Sequence, residues 1–216
     1  MIKHPKLYFI LVFFITMSTF LFAQNKNDFS LGHNFTFNHF ILPESYINKF
    51  SFTTGCIAKS HLTSWLKVKT GATYSNKRFY IDYNNTPASQ KVTRADIQME
   101  YFNIPFLFGF DFLEKENFVF SFSSGLSYNI LLNYNKTLTY GYGNIRDGSK
   151  YCNIDEWTIN FRAGLAIGFF QSKTLSFEFE PYYDHQLSKS SSLPGCYSGN
   201  KSINISLIVY YNFRKK

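Results

Sequence analysis

The sequence predicts an all-β fold, an eight-stranded antiparallel up-and-down transmembrane β-barrel preceded by a cleaved signal peptide. The 26 Phe and 16 Tyr outnumber the 22 basic and 14 acidic residues, and aromatic side chains favour strands. Polar and apolar residues alternate through most of the chain, which is the period of a strand. Beyond its start, the chain has no apolar run near the ~20 residues that a membrane helix needs.

The first 23 residues have the layout of a secretory signal peptide. A short basic region precedes an almost wholly apolar run at 7–22, and Ala23 offers a small residue for cleavage. The residue at the −3 position is larger than usual, so an uncleaved signal anchor is the alternative. We expect residues 1–23 to be removed and residues 24–216 to form one barrel domain in a compartment that permits disulfides.

Eight segments of alternating polarity are the predicted strands, at 29–41, 50–55, 66–74, 102–112, 118–130, 157–169, 175–184 and 202–213. Phe and Leu alternate with Ser, Gly and Asn in the first strand, and the second is a shorter alternation of Phe with Ser and Thr. The third sets Leu, Val and Ala against Lys and Gly. The fourth carries Phe at most of its apolar positions, and the fifth carries Phe at half of them. Each pattern gives one apolar and one polar face.

The last three strands follow the same rule. The sixth alternates Trp, Ile, Phe and Leu with Thr, Asn, Arg and Gly, and the seventh sets Leu and Phe against Ser and Glu. The eighth alternates Ile, Leu, Val, Tyr and Phe with Ser and Asn. No amphipathic helical pattern of any length competes with these strands.

The predicted connections alternate between short and long. Short links lie near 59–64, 113–117 and 171–174, and long ones lie near 42–49, 75–97, 133–156 and 186–201. Short turns at one end and long loops at the other are typical of a bacterial outer-membrane barrel, with the long loops extracellular. An even number of strands then places both termini in the periplasm.

The polar face carries charged residues, which we expect to form an interior network: Lys67, Lys69, Arg162, Glu178, Glu180 and Asp184. Small residues with opposite charges suit a narrow barrel, because eight strands leave a lumen filled by side chains. A soluble secreted barrel, with Phe inside and charges outside, is the alternative. His33 and His39 fall on the predicted lipid face, where a polar group is tolerated better near the interfaces.

Three segments carry a family resemblance: residues 22–24 (Phe-Ala-Gln), 101–108 and 125–132. They resemble the PorT-like outer-membrane β-barrel family of Bacteroidetes-type bacteria. Its fourth strand carries an aromatic-x-x-Ile-Pro-Leu-Leu stretch, matched here by Tyr101, Ile104 and Pro105. The resemblance implies the outer membrane and an eight-stranded barrel, and it implies little about activity because the family has no common catalytic residues.

The end of the last predicted strand, with Tyr211 and Phe213, is similar to the C-terminal signal read by the barrel-assembly machinery. This machinery is therefore the expected transient partner. Within the fourth strand, Pro105 would remove a ladder hydrogen bond, so we predict a β-bulge near 103–106. The alternative is that the strand ends there.

The chain has three cysteines. Cys152 and Cys196 lie in adjacent external loops of the predicted barrel, where either a disulfide or two free thiols would fit. Cys56 is expected to pack as a small apolar residue on the second strand.

One group of residues could carry chemistry. Asp184, His185 and Ser188 occur at the outer end of the seventh strand, and such a group could activate a serine hydroxyl, as in a lipid-A-modifying esterase or acyltransferase. No defined motif surrounds them. No spacing of His, Cys, Asp or Glu predicts a metal site, and no glycine-rich phosphate loop is present, so we expect no cofactor.

Basic residues concentrate in the second and third long connections: Lys77, Arg78, Lys91, Arg94, Lys136, Arg146 and Lys150. Outer-membrane lipids and the phosphates and sugar acids of lipopolysaccharide are nearer partners for them than nucleic acid, and ordinary solvated charge is the alternative. Tyr140, Tyr142 and Asn144 are compatible with a protein or glycan ligand at the loops. We expect a structural or surface-interaction protein of the outer membrane, with a narrow porin as the alternative.

Overall fold

The computed structural model describes residues 29–42, 46–83, 92–115, 118–141, 145–147, 156–169, 174–188 and 201–213. The predicted signal peptide, Cys152, Cys196, Lys91 and Lys150 lie outside these ranges. Within them, no helix is long and apolar enough to span a bilayer.

The described chain forms ten strands. In chain order they are β1 (Phe29–Phe40), β2 (Tyr46–Asn48), β3 (Ser51–His61), β4 (Leu66–Asp82), β5 (Val92–Lys115), β6 (Phe118–Tyr140), β7 (Ile145–Asp147), β8 (Trp157–Phe169), β9 (Leu175–Gln186) and β10 (Lys201–Phe213).

Eight of these strands close into an antiparallel ring. The order around the ring is β1, β3, β4, β5, β6, β8, β9 and β10, and β10 pairs again with β1 from Phe29–Phe213 to Phe40–Ser202. The predicted eight-stranded barrel is therefore confirmed. Closure pairs the sheet edges, which hydrocarbon requires because it offers no hydrogen bonds to an open edge.

The large apolar side chains lie on the outside of this ring. On β10, Leu207 and Val209 are 50% and 43% exposed, whereas their neighbour Ser206 is 2% exposed. The apolar outer positions of β10 run from 203 to 213. At about 3.4 Å per residue and a tilt of roughly 45°, this stretch is about 25 Å tall, the height of the apolar band of an outer-membrane barrel. We call this surface the lipid belt.

Three strands extend past the lipid belt beyond their predicted ends, and β3 also runs on from its predicted end at 55 to His61. β4 continues to Asp82, β5 starts at Val92 and β6 reaches Tyr140. The alternation persists there with inverted polarity, because the apolar residues now face inward and the polar residues face outward. Beyond the lipid belt the outer face meets water and becomes polar. The predicted strands were defined by one continuous apolar face, so they end where the belt ends.

Several basic residues assigned to loops therefore lie on strands: Lys77 and Arg78 on β4, Arg94 on β5, Lys136 on β6 and Arg146 on β7. β2 and β7 lie outside the ring and pair with β4 and β6. They complete what we call the external sheet, which consists of β2, 75–82 of β4, 92–100 of β5, 131–140 of β6 and β7. Asn48 ties its edge to the barrel, donating from Nδ2 to the Phe40 carbonyl (2.7 Å) and accepting from the Phe40 amide (3.1 Å).

The inner side of the external sheet has an apolar core of its own: Phe79, Ile81, Ala95, Ile97, Met99 and Tyr101. Leu42, Tyr83, Leu131, Tyr134 and Leu138 pack against it. This core explains why the three strands stay ordered above the belt.

The prediction of a bulge at 103–106 is wrong. β5 and β6 stay in register from Phe102–Ile130 to Phe108–Ser124, and the nearest of their register shifts lies between Glu100 and Tyr101. Pro105 has its effect on the other side, where the β4–β5 ladder runs to Thr70–Phe106 and resumes at Thr73–Asn103. The missing N–H of proline removes hydrogen bonds to one neighbour without adding a residue.

Candidate functional site

Lys69 crosses the lumen of the barrel. It projects from β4, and its Nζ contacts the Glu178 carboxylate and lies 3.1 Å from Glu180 Oε2, both on β9. In the ring, three strands separate β4 from β9 in either direction, so this contact joins opposite walls. The three side chains are at most 3% exposed. We call Lys69, Glu178 and Glu180 the crossbar.

Neighbouring side chains fill the space around the crossbar. Lys59 Nζ lies 3.7 Å from Glu178 Oε2 and 3.9 Å from the centre of the Tyr210 ring. Ser123 donates a hydrogen bond to Glu180. A buried ion pair is stabilised when further polar contacts satisfy its remaining lone pairs. Ser123 supplies a hydrogen bond to Glu180, and Lys59 supplies a second cation to Glu178.

A second ion pair lies in the same half of the lumen. Lys67 Nζ is 2.7 Å from Asp111 Oδ1 and 2.8 Å from the Ser121 hydroxyl. His61 Nε2 lies 3.7 Å from the other oxygen of Asp111. Sequence reasoning missed Asp111 and Lys59 as members of the network. Both residues occupy inward positions in the alternating pattern of their strands, and this pattern could have identified them.

The other two residues of the predicted network lie on facing positions of β8 and β9. Arg162 does not pair with Asp184 there. Its guanidinium lies 3.9 Å from the Tyr182 ring, and Asp184 instead accepts a hydrogen bond from Asn160 at 3.2 Å. The structure thus brings Lys67, Lys69, Glu178 and Glu180 into ion pairs and places Arg162 and Asp184 beside different partners.

Hydroxyl and amide side chains bond to one another along the lumen wall. Asn38 Nδ2 donates to Thr53 Oγ1 (3.0 Å), which donates to Ser75 (2.9 Å). Asn129 similarly bonds Thr158 at 3.2 Å. These bonds link neighbouring strands, whereas the crossbar links opposite walls of the lumen.

The predicted Asp-His-Ser group is not brought together. Successive residues of a strand point to opposite faces, so Asp184 faces the lumen while His185 faces outward and stacks on Tyr183 at 6.3 Å. Ser188 Oγ accepts the backbone N–H of Ile159 at 3.2 Å. No described contact joins the three side chains. Within the described residues, no group of three or more His, Cys, Asp or Glu could hold a metal ion.

The lipid belt includes a few polar side chains. His33 and His39 are exposed on the outer face, and His33 Nε2 lies 3.1 Å from Thr54 Oγ1. Cys56 is exposed on the same face and forms no disulfide. It therefore lies at the lipid-facing surface of β3 and is not packed within the protein.

At the closing end of β10, Tyr211 and Phe213 face outward. Their rings meet edge to face at 4.8 Å, and Phe213 stacks on Phe29 of β1 at 5.6 Å. These contacts lie at the seam where the last strand meets the first. Recognition of the two aromatics by the assembly machinery stays a prediction.

The outward face of the external sheet carries paired charges. Asp96 accepts hydrogen bonds from Lys49 and from Arg94, the latter at 2.9 Å. The Tyr80 ring lies beside both cations, 4.1 Å from the Arg94 guanidinium and 5.5 Å from Lys49 Nζ. Partial burial alone would raise the pKa of Asp96, but the hydrogen bonds from Arg94 and Lys49 outweigh it and hold the pKa below its ordinary value.

Comparison with known proteins agrees with this architecture. Three similar solved structures are a major outer membrane protein from Thermus thermophilus (13% identity, TM-score 0.56, covering 88% of this chain and 100% of that one), Neisserial surface protein A (11%, 0.51, 86% and 97%) and OprG from Pseudomonas aeruginosa (14%, 0.50, 88% and 97%). At these identities the likeness shows the fold alone.

No curated protein matches the chain. Residues 22–192 match the family model described as an outer membrane protein beta-barrel domain, which covers well over half of the sequence. The chain is therefore a small outer-membrane β-barrel protein and belongs to the outer membrane protein beta-barrel domain family.

Proposed function

We propose that this protein is a sealed barrel with a structural or surface-interaction role, which displays its external sheet and long connections outside the cell and keeps both termini in the periplasm. The crossbar carries this proposal, because Lys69 joins opposite walls through two buried carboxylates. A solute path would have to separate these charges. The narrow-porin alternative requires a continuous aqueous lumen, and the crossbar favours the sealed barrel.

The proposal extends to finer assignments. Tyr101, Ile104 and Pro105 support placing the protein in the PorT-like group. Tyr211 and Phe213 support a transient interaction with the barrel-assembly machinery. A non-enzymatic role is supported by the separate directions of Asp184 and His185 on β9.

Conductance tests the seal. The purified barrel is expected to give no steady conductance in planar bilayers. The quadruple variant Lys59→Ser, Lys69→Ser, Glu178→Ser and Glu180→Ser should open small channels, because it removes the charges that meet across the lumen together with Lys59, which would otherwise lose its partner Glu178. Lys201→Ser, at an exposed outer position of β10, is the matched control and should stay silent. Steady channels in the unmodified protein would contradict the sealed barrel and favour the porin.

Cysteine labelling tests the orientation. In a background with Cys56, Cys152 and Cys196 replaced by serine, Thr93→Cys lies on the external sheet and Ser64→Cys in the β3–β4 turn, both exposed. A membrane-impermeant maleimide should label position 93 in intact cells and position 64 only after the outer membrane is permeabilised. The reverse pattern would show that the short turns face outward.

A further inference from the structure

We infer that the outward face of the external sheet binds the saccharide part of neighbouring lipopolysaccharide molecules, chiefly through sugar hydroxyls and not through phosphate. This inference rests on the proposed orientation, in which the sheet stands outside the cell. It gives a partner of stated chemistry to the surface-interaction role.

The face continues the lipid belt without a break. On β4 the outward residue Tyr74 is followed by Asn76, on β5 the outward residue beyond Phe102 is Glu100, and the two strands stay paired throughout. The same wall therefore passes from hydrocarbon into the polar layer of the leaflet. The part of β4 above the belt has eight residues, 75–82, about 26 Å of strand at about 3.3 Å per residue. Whatever lies beside the belt must also lie beside this face.

The charges on the face cancel. Its basic side chains are Lys49, Arg78 and Arg94, and its acidic ones are Asp82, Asp96 and Glu100. The edge strand β7 adds the exposed residues Arg146 and Asp147, one charge of each sign. Two of the cations share Asp96. A net charge of zero offers little long-range attraction to a phosphate group.

Two basic residues that the sequence placed in loops do not reach this face at all. Lys77 points inward, with its Nζ 4.9 Å from the Tyr101 ring, and Lys136 is 8% exposed on the inner side. Arg78 is exposed and donates from Nε to the Asn76 amide oxygen at 3.0 Å. The surface is thus less cationic than the sequence suggested, which favours sugars over phosphates.

The remaining groups suit neutral saccharides. Asn133 and Asn135 are exposed on β6, and Gln98 on β5 donates to Glu100 at 2.8 Å. Amide groups both donate and accept, as sugar hydroxyls do. Tyr80, half-buried beside Arg94 and Lys49, adds an aromatic ring with a polar tip, against which the C–H face of a sugar can pack. Ile47 lies opposite Tyr80 on β2 and is 43% exposed.

Two probes separate sugar from lipid. The detergent-purified full chain is titrated with rough lipopolysaccharide, which carries core sugars, and with lipid A, which lacks them. The unmodified protein should bind the sugar-bearing form at least ~5-fold more tightly, and raising NaCl from 0.1 to 0.5 M should change the ratio less than twofold, since salt screens charge but not hydrogen bonds. The double variant Tyr80→Ala and Asn135→Ala should bring the ratio near one.

Lys201→Ala is the matched control, because it removes an exposed side chain at the outer end of β10, away from the external sheet, and it should keep the preference. Retention of barrel folding is checked by heat-modified gel mobility. Equal binding of both probes by the unmodified protein, or binding that salt abolishes, would overturn the saccharide assignment. The binding measurement uses neither intact cells nor conductance. A negative result would therefore contradict saccharide binding only, and the seal and the orientation are tested separately by conductance and cysteine labelling.

Discussion

Replacement of Lys69 by alanine is expected to destabilise the folded barrel by about 3–5 kcal/mol, because it leaves Glu178 and Glu180 buried without their shared cation. Urea titration in detergent micelles, followed by tryptophan fluorescence, measures the change in the free energy of unfolding. The cost arises from uncompensated buried charge and not from lost volume.

A second variant isolates that cause. Adding Glu180→Gln to Lys69→Ala leaves one buried carboxylate, Glu178, which keeps Lys59 Nζ as its cation at 3.7 Å, and should recover most of the lost stability. Lys201→Ala, which removes an exposed lysine at the first position of β10, should have little effect. If the double variant is as unstable as Lys69→Ala alone, the crossbar stabilises by packing and its electrostatic description is wrong.

Replacement of Leu207 by arginine is expected to cost about 2–4 kcal/mol, because this side chain lies near the middle of the lipid belt and faces outward. Tyr211→Arg is the matched control on the same face of β10. It lies near the edge of the lipid belt at the end where β10 finishes and should cost only about 0–1 kcal/mol. The readout is the free energy of unfolding in lipid vesicles.

The depth dependence makes this experiment specific to a membrane. An outward arginine on a barrel in water would be hydrated at both positions, so the two variants would behave alike. Equal and small effects in vesicles would place the belt outside the bilayer. A larger cost at Leu207 than at Tyr211 would locate position 207 in the hydrocarbon.

The sequence was informative where one physical rule acts along a whole strand. Inside the belt every outward residue meets hydrocarbon and every inward residue meets the lumen, so the alternation on β10 predicts its faces residue by residue. It failed where the surroundings change along the strand. Phe79 lies on the same strand as Lys69, and Ile97 lies on the same strand as Phe108. Beyond the belt, however, the apolar residues of these strands face inward. A prediction that expects every apolar residue to face outward therefore places Phe79 and Ile97 in loops.

The sequence predicts that charged residues line the interior of the barrel, but it does not predict which of them form ion pairs. Alternation places Lys69, Glu178 and Glu180 on the inner face, but which strands lie opposite one another depends on closure of the whole ring. Asp111 was overlooked because it lies among phenylalanines. The lack of an ion pair between Arg162 and Asp184 was not predictable, because it depends on the side-chain rotamer that stacks Arg162 on Tyr182.

The crossbar also bears on the order of folding. Lys69 and Glu178 are 109 residues apart in the chain, and they meet only when the first and last thirds of the sheet have curled round to face each other. Contacts of such long sequence separation form late, because the loop entropy must be lost first. Until then both groups stay hydrated, so their dehydration marks the moment at which the cylinder is complete.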